Sequence, residues 1–346
     1  MKLTELEKRE IDRYIAHYDF QKYITNKVFL ITGAKGIVGT GIIKWLLYEN
    51  DIHNCNARIL ASTRNPEDVP SYIDQKDNIS YIKFNEEKNA VKNIHIDYVI
   101  HAASSTDNKF HILHPVESFR INYDGTERMI EIANDNEGCS MIYLSSEEVY
   151  GLPEDDKAIS EDYVGKIDQS NLRSCYPLSK KSSEFLCFAS AKENMTNVKI
   201  IRPTVIHGLF QKYNDPRVVN ELLRCVIENK NLTMMSDGLT KKCLFYSLDA
   251  ISAIFIVLFK GVKGEAYNAS NPKTYMTVKD LANYVFKTFA PNLKIVYQNC
   301  SSTSTSGYLP HRSIVQDISK IGLLGWEPIT DLKHIYEIDI ERFRDK

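Results

Sequence analysis

The chain lacks any pair of cysteines at redox or metal-binding spacing. Its seven cysteines, at positions 55, 139, 175, 187, 225, 243 and 300, form no C-x-x-C and stand at no metal-ligand spacing from a histidine. That argues against a zinc or disulfide framework and predicts reduced thiols of a cytosolic protein. Charge of one sign is also lacking. A net charge of -2 with no long run of either sign gives no reason to expect nucleic acid or an anionic membrane as partner, so any anion site must be local. Long hydrophobic runs are missing too. The longest, residues 251 to 259, is too short to cross a bilayer, and the charged stretch Met1 to Phe20 lacks the apolar core of a signal peptide. A soluble, cytoplasmic protein without metal is expected. What is present is an ordinary 43% apolar fraction over 346 residues, enough for a substantial core in two domains or one two-lobed unit.

One stretch organises the rest. Val28 to Ile31 read as a buried strand, followed by Thr32-Gly33-Ala34-Lys35-Gly36-Ile37-Val38-Gly39 and an apolar-periodic run to Tyr48. Glycines at Gly33, Gly36 and Gly39 let the backbone turn sharply, approach a pyrophosphate, and start a helix whose positive end faces that anion. Lys35 and Ile37 lie in the same turn and are counted with the cofactor-binding residues. The second strand, Ala57 to Arg64, ends in Ser62, Thr63 and Arg64. Small hydroxyl residues followed by arginine leave room and charge for a 2′-phosphate, which favours NADP over NAD. A fourth strand, Asp97 to Ser105, ends in small residues, among them Ala102, Ala103 and Ser104, suited to a chain running close beneath a dinucleotide. His101 within it is read as scaffold.

The chemistry falls in two segments. A strand from Met141 to Leu144 delivers Ser145-Ser146-Glu147-Glu148-Val149-Tyr150-Gly151, and Tyr176-Pro177-Leu178-Ser179-Lys180 lies in the next helical stretch. Tyrosine and lysine four residues apart share a helix face, so the Lys180 ammonium can favour the Tyr176 phenolate and also bind the nicotinamide ribose. Ser146 can hold the same substrate oxygen. The consecutive carboxyls of Glu147 and Glu148, in one pocket, would titrate apart into a base and an acid. If this segment is a strand, Glu147 instead points away as a surface charge.

The glycine spacing, the serine-bearing strand and the Y-x-x-x-K, in that order, resemble the extended short-chain dehydrogenase/reductases of the NAD-dependent epimerase/dehydratase family. The resemblance spans about residues 27 to 340. It implies a doubly wound parallel α/β sheet of Rossmann type with a smaller C-terminal α/β substrate domain. The expected division is a helical extension over 1–26, a NAD(P)-binding domain over 27–204 to which 245–272 returns, and a substrate-binding domain over 205–346. The extension is read as a brace on the nucleotide-binding domain or an oligomer contact. Asn85 stands where related enzymes place an aspartate near the adenine, and Asn122 opens a segment like the family's Asn-x-x-Gly-Thr. Aligned on Val149-Tyr150-Gly151, Glu148 matches the glutamate of sugar-nucleotide 4,6-dehydratases and UDP-glucuronate decarboxylases, and Glu147 matches an aspartic acid of hexose dehydratases. Lys242 and Arg312 correspond to positions that can clamp a nucleotide diphosphate, and Arg217, in a segment like the family's substrate domain, is counted with the substrate-binding residues. Two departures stand out: Val205 replaces an asparagine of related epimerases, and Gly208-Leu209-Phe210 replaces the Gly-Pro-Arg of decarboxylases.

The function implied is modification of a nucleotide-diphosphate sugar through a 4-keto intermediate, with 4,6-dehydratase chemistry ahead of a 4-epimerase, a UDP-glucuronate-decarboxylase-like enzyme or an NADPH-dependent reductase. A homodimer with NADP or NAD as cofactor is expected. A dinucleotide sensor without catalysis is the contrasting class, and intact Ser146, Tyr176 and Lys180 argue against it.

Overall fold

The computed structural model describes residues 3–68, 78–105, 107–298 and 313–344. The strands are β1 Val28–Thr32, β2 Arg58–Thr63, β3 Ile79–Lys83, β4 Tyr98–His101, β5 Ser140–Leu144, β6 Asn197–Pro203, β7 Val205–His207, β8 Leu232–Met234, β9 Lys241–Lys242, β10 Leu244–Tyr246, β11 Ala266–Ala269, β12 Met276–Thr277 and β13 Ile295–Tyr297. The helices begin with α1 Glu5–Ile15, α2 Gln21–Ile24, α3 Ile37–His53, α4 Glu87–Ala90, α5 Asn108–Leu113, α6 Pro115–Asn134 and α7 Cys175–Glu193. They continue with α8 Val218–Glu228, α9 Ser247–Lys260, α10 Val278–Phe289, α11 Ser319–Gly322 and α12 Leu332–Phe343.

Seven strands form one parallel sheet in the order β11-β6-β5-β4-β1-β2-β3. The order reverses between β1 and β4, which pair in the register Thr32 to His101. A doubly wound sheet opens a crevice where its order reverses, outside the carboxyl ends of the strands. Successive residues of β1 serve opposite faces, as the pleat requires. Phe29 and Ile31 pack with Ile42, Trp45, Ile251 and Phe255 of α3 and α9, whereas Leu30 joins Met129 of α6 and Cys187 of α7 on the other side. The apolar run 251–259 is therefore a core helix. Among the described residues no helix is long and apolar enough to cross a membrane, and no group of side chains could hold a metal.

The extension folds into two helices that wedge against more than the nucleotide-binding half. Thr4 and Glu7 close a capping box at the start of α1, fixing where the helix begins. Its buried face sends Glu7 to Lys44 of α3. Glu10 accepts from the Tyr246 hydroxyl at 3.0 Å and lies 2.9 Å from Nε2 of His334 on α12. Tyr14 donates to Asp249 of α9 at 2.7 Å. Phe20, between the two helices, packs edge-on against Phe255, ring centres 5.4 Å apart. Burial of aromatic side chains such as these contributes about 1.5–3 kcal/mol each. Residues 3–26 thus join α3, α9, β10 and α12 in one seam.

Candidate active site

The glycine turn lies at the switch point. Gly33 has φ +71°, and a Cβ there would come within 2.7 Å of the Ala102 carbonyl oxygen, so the turn and the end of β4 approach each other only because no side chain intervenes. Gly36 is the N-cap of α3 and makes no side-chain cap; the first turn carries no acidic residue. The leading N–H groups of a helix lack intrahelical partners, so this end offers donors and a positive dipole to an anion. Thr32 Oγ1 accepts from Ala103 N at 3.1 Å and stands 2.7 Å from His101 Nδ1. Burial, with Lys180 and Arg128 nearby, pushes the His101 pKa down to about 3, so the ring is a neutral tie between β1 and β4.

At the far end of the crevice, Ser62 differs from its expected posture. Its hydroxyl turns inward and donates to Glu87 Oε1 at 2.6 Å, and Glu87 is wholly buried with Arg128 Nε 3.7 Å from its other oxygen. Arg128 also donates to Asn85, whose φ is +77°. Arg64 is exposed. Lys35 reaches the same loop, bonding Asn65 O and Asp68 Oδ2, each at 3.0 Å. A cleft of about 590 Å³ beside them is lined by Phe84, Asn85, Pro115, Arg120, Ile121 and Arg128.

Tyr176 is the second residue of α7 and Lys180 the sixth. The helix start is pinned by a relay in which Asn122 of α6 donates to Ser179 Oγ at 2.8 Å and Ser179 donates to the Tyr176 carbonyl at 2.8 Å. Lys180, 2% exposed, donates to Leu144 O at 2.7 Å and lies 4.9 Å from the Tyr143 ring centre and 5.9 Å from that of Tyr176. Burial lowers its pKa to about 7 against the pull of Glu184, a carboxylate that Arg202 already holds through two bonds of 2.9 and 2.7 Å.

The acidic segment is a 3-10 turn, Glu147–Tyr150, rather than a strand, which changes where the carboxyls go. Ser146 caps it, accepting from Glu148 N at 3.2 Å. Glu147 is buried, with Lys242 Nζ 3.9 Å from its Oε1, so it is not a surface charge. Glu148 accepts from Arg173 Nη2 at 3.0 Å. Arg173 also donates through Nε to Asn108 Oδ1 at 2.9 Å. Its guanidinium lies 5.5 Å from the Tyr176 ring centre, and the His111 ring lies 4.9 Å from it. Burial and Arg173 lower the His111 pKa to about 4, leaving a neutral ring 2.7 Å from Ser118 Oγ.

Residues 29–270 match the profile of the NAD dependent epimerase/dehydratase family. The chain belongs to that family. Among curated relatives it is 25% identical to a UDP-glucuronic acid decarboxylase 1 of Danio rerio, over 99% of this chain and 78% of that protein. It is also 25% identical to a UDP-glucuronic acid decarboxylase 4 of Arabidopsis thaliana, over 92% and 68%. Solved structures sharing the fold include a UDP-glucose 4-epimerase of Thermotoga maritima, TM-score 0.79 at 18% identity, covering 92% of this chain and 99% of that one. A dTDP-glucose 4,6-dehydratase of Bacillus anthracis, solved with NAD, gives 0.74 at 18% over 92% and 98%. As a family member the chain is an enzyme with an NAD-type cofactor, and the crevice fits one: three glycines open the cradle, and an uncapped helix end faces it.

The structure draws Ser146, Glu147, Glu148, Tyr176 and Lys180 to neighbouring strand and helix ends, with Lys242 beside Glu147. Ala102, Ala103 and Ser104 follow β4 at the crevice, half-buried, and the Ser104 hydroxyl donates to Ser105 O at 3.2 Å. Arg217 is not aimed the same way: its fork is taken by Asp215, Gln211 Oε1 at 2.8 Å and Ile206 O at 2.9 Å. Arg312 lies outside the described residues. Sequence reading passed over Arg173, His111 and Asn108 in the pocket and Glu87 and Arg128 at the other end. Only Arg173 carried a signal, standing three residues and about one helical turn before Tyr176.

Proposed function

We propose that the enzyme acts on a nucleotide-diphosphate sugar through a 4-keto intermediate, by 4,6-dehydratase-type chemistry. The observation that carries this reading is the pair Glu147 and Glu148 on one turn beside Tyr176, each with its own cation, Lys242 at 3.9 Å and Arg173 at 3.0 Å. Two carboxyls in unlike environments suit one base and one acid. The dinucleotide, when bound, supplies the acceptor for the hydride at sugar C4 and its later return. Tyr176 takes the proton from O4, and Ser146 holds that oxygen. Glu148 takes the C5 proton made acidic by the ketone, and Glu147 gives a proton to the departing C6 hydroxyl.

Decarboxylation is the second reading, favoured by what the curated relatives are named for. It needs a cation for the substrate carboxylate. Gly208-Leu209-Phe210 offers none, and Arg217 is already held by its neighbours. The Glu148→Gln variant tests the choice in a panel of sugar nucleotides run in deuterated water. Dehydration predicts deuterium at C5 of the wild-type product and accumulated 4-keto sugar in the variant. Release of carbon dioxide selects the decarboxylase; undiminished turnover of Glu148→Gln without C5 deuterium selects a 4-epimerase or reductase.

Three finer features belong to the same reading. NADP is preferred, because Arg64 and Lys35 stand together at the adenosine end. The enzyme is a homodimer that uses the exposed apolar side chains Leu113, Val116, Leu172, Phe185 and Phe188 on and around α6 and α7, and a molar mass near twice 39.7 kDa by light scattering tests it. The dimer works in the cytoplasm, where fractionation of cells should recover it.

A further inference from the structure

One side chain outside the motifs ties the catalytic elements together. Arg173 lies in the short turn Leu172–Ser174 that runs into α7. It is 7% exposed and donates in two directions, Nη2 to Glu148 of the acidic turn and Nε to Asn108 of α5. Its third nitrogen, Nη1, is buried with no hydrogen-bond acceptor among the described residues. The guanidinium carbon lies over the Tyr176 ring, 5.5 Å from its centre. We propose that Arg173 is a positioning residue that supplies the fixed positive charge of the proton-transfer pocket, holding the Glu148 carboxylate and favouring the phenolate of Tyr176. This rests on the roles given above to Tyr176 and Glu148.

The case turns on what else is charged there. From α7, Lys180 faces the ring, but burial works against its charge, its hydrogen bond goes to a neutral carbonyl rather than a carboxylate, and Glu184 is held by Arg202. From α5 comes His111, kept neutral by burial and by Arg173 itself, with Asp107 acting on it from the helix start. From β5 comes the ring of Tyr143, and behind Lys180 the neutral His101. From the acidic turn come Glu148 and Glu147, the latter beside Lys242. The Glu148 carboxylate, the base of the pair, disfavours a phenolate. A guanidinium, unlike a buried ammonium, keeps its charge at any working pH and offers a rigid fork. Arg173 therefore offsets Glu148 and leaves the Tyr176 proton free to depart when Lys180 is only partly charged.

Ultraviolet difference titration of tyrosinate, taken as wild type minus Tyr176→Phe, isolates one phenol among the chain's 20 tyrosines and needs no substrate. In Arg173→Met, referenced to the matching double variant, the midpoint should rise by about one pH unit, the size expected of a nearby charge. Arg173→Lys should restore more than half of that. Circular dichroism and thermal melts report whether each variant is folded, and Arg173→Gln, which keeps a donor but no charge, replaces Arg173→Met if that variant is not. An unmoved midpoint overturns the proposal. So does an equal rise in Arg173→Lys, because packing and not charge would then be at work. In turnover, the acid limb of kcat should move with the midpoint while KM changes little. Absence of turnover in the wild type on every sugar nucleotide counts against the proposed function and leaves the titration to decide on Arg173.

Discussion

The seam around α1 and the pocket around Tyr176 both bury charged groups, and they provide for them differently. In the seam both buried glutamates of α1 meet partners. Glu7 has Lys44, and Glu10 is shared by His334 at 2.9 Å and the Tyr246 hydroxyl at 3.0 Å, with Arg13 3.5 Å away. These contacts hold the Glu10 carboxyl below its usual range despite burial. In the pocket the cations outnumber what they can pair with. Lys180 has a carbonyl, and burial, with Arg173 and Lys180 adding to it, keeps the two nearby histidines neutral. Matched charge in a low-dielectric interior positions elements, whereas mismatched charge shifts protonation equilibria and prepares a group for proton transfer. The first region should answer mutation in stability and the second in rate.

The largest effect should come from Tyr176→Phe. Only the ionisable oxygen leaves, so turnover should fall about 10³-fold, the usual scale for a lost general base, while nucleotide-sugar binding and the melting temperature stay close to wild type. Steady-state kinetics with a binding titration checks this, and a variant retaining a tenth of the activity would place the proton acceptor elsewhere. Glu7→Ala should give the opposite pattern. It leaves Lys44 buried without its carboxylate and opens the capping box of α1, at a cost of about 3 kcal/mol, with kcat at room temperature unchanged in the protein that remains folded. Denaturant unfolding reads the loss. A drop in kcat as large as the drop in stability would erase the contrast between the two regions.

How far the sequence foretold all this depends on the range of the interactions involved. The glycine turn, the strand ends and the Tyr176 to Lys180 spacing are local patterns, legible because backbone conformation and helix periodicity act over a few residues. The doubly wound sheet follows from their order. Glu147 was harder, because strand alternation and a 3-10 turn aim consecutive side chains differently, and the sequence does not decide between them there. Ser62 was read as open to a phosphate, and it turns inward because Glu87, 25 residues later, sits beneath it. The seam escaped for the same reason. Glu10 and His334 are 324 residues apart, and no short window contains both.

The pH dependence of stability sharpens the comparison, because the two regions should slope in opposite senses. Burial lowers Lys180 to about 7 in the folded chain from the usual 10.5, so between those limits the unfolded chain binds the extra proton and stability rises with pH. Asp249, in the seam, is raised by burial to about 7 from 3.8, even with Tyr14 and Ile329 N donating to it. There the folded chain holds the extra proton, and stability falls as pH rises from 3.8 to about 7. Each group contributes a slope of at most about 1.4 kcal/mol per pH unit. Lys180→Met should flatten the alkaline limb and Asp249→Asn the acid one, in unfolding curves taken across pH 4 to 10. Identical profiles in wild type and variants would mean that neither burial is felt as a proton equilibrium.

The smallest effect concerns a third kind of charge, one that is exposed and has no buried partner to match. Arg64 stands at the end of β2 in solvent, so its attraction for a 2′-phosphate is screened by water and salt, and its removal should cost severalfold rather than a thousandfold. Arg64→Ala should weaken NADP(H) about three- to tenfold at low ionic strength and leave NAD(H) nearly unchanged, since only the former carries the phosphate a guanidinium can fork. Lys35 adds a control. Its ammonium is held by Asp68 at 3.0 Å, and Asp68→Asn would release it toward the same phosphate. That variant should tighten NADP(H), and the gain should fade as salt is added. Fluorescence titration of both reduced cofactors with each variant reads all of these outcomes. If Arg64→Ala weakens the two cofactors equally, or neither, and Asp68→Asn changes nothing, the charges at this end do not select the cofactor, and the choice passes to the buried carboxylate of Glu87 behind Ser62.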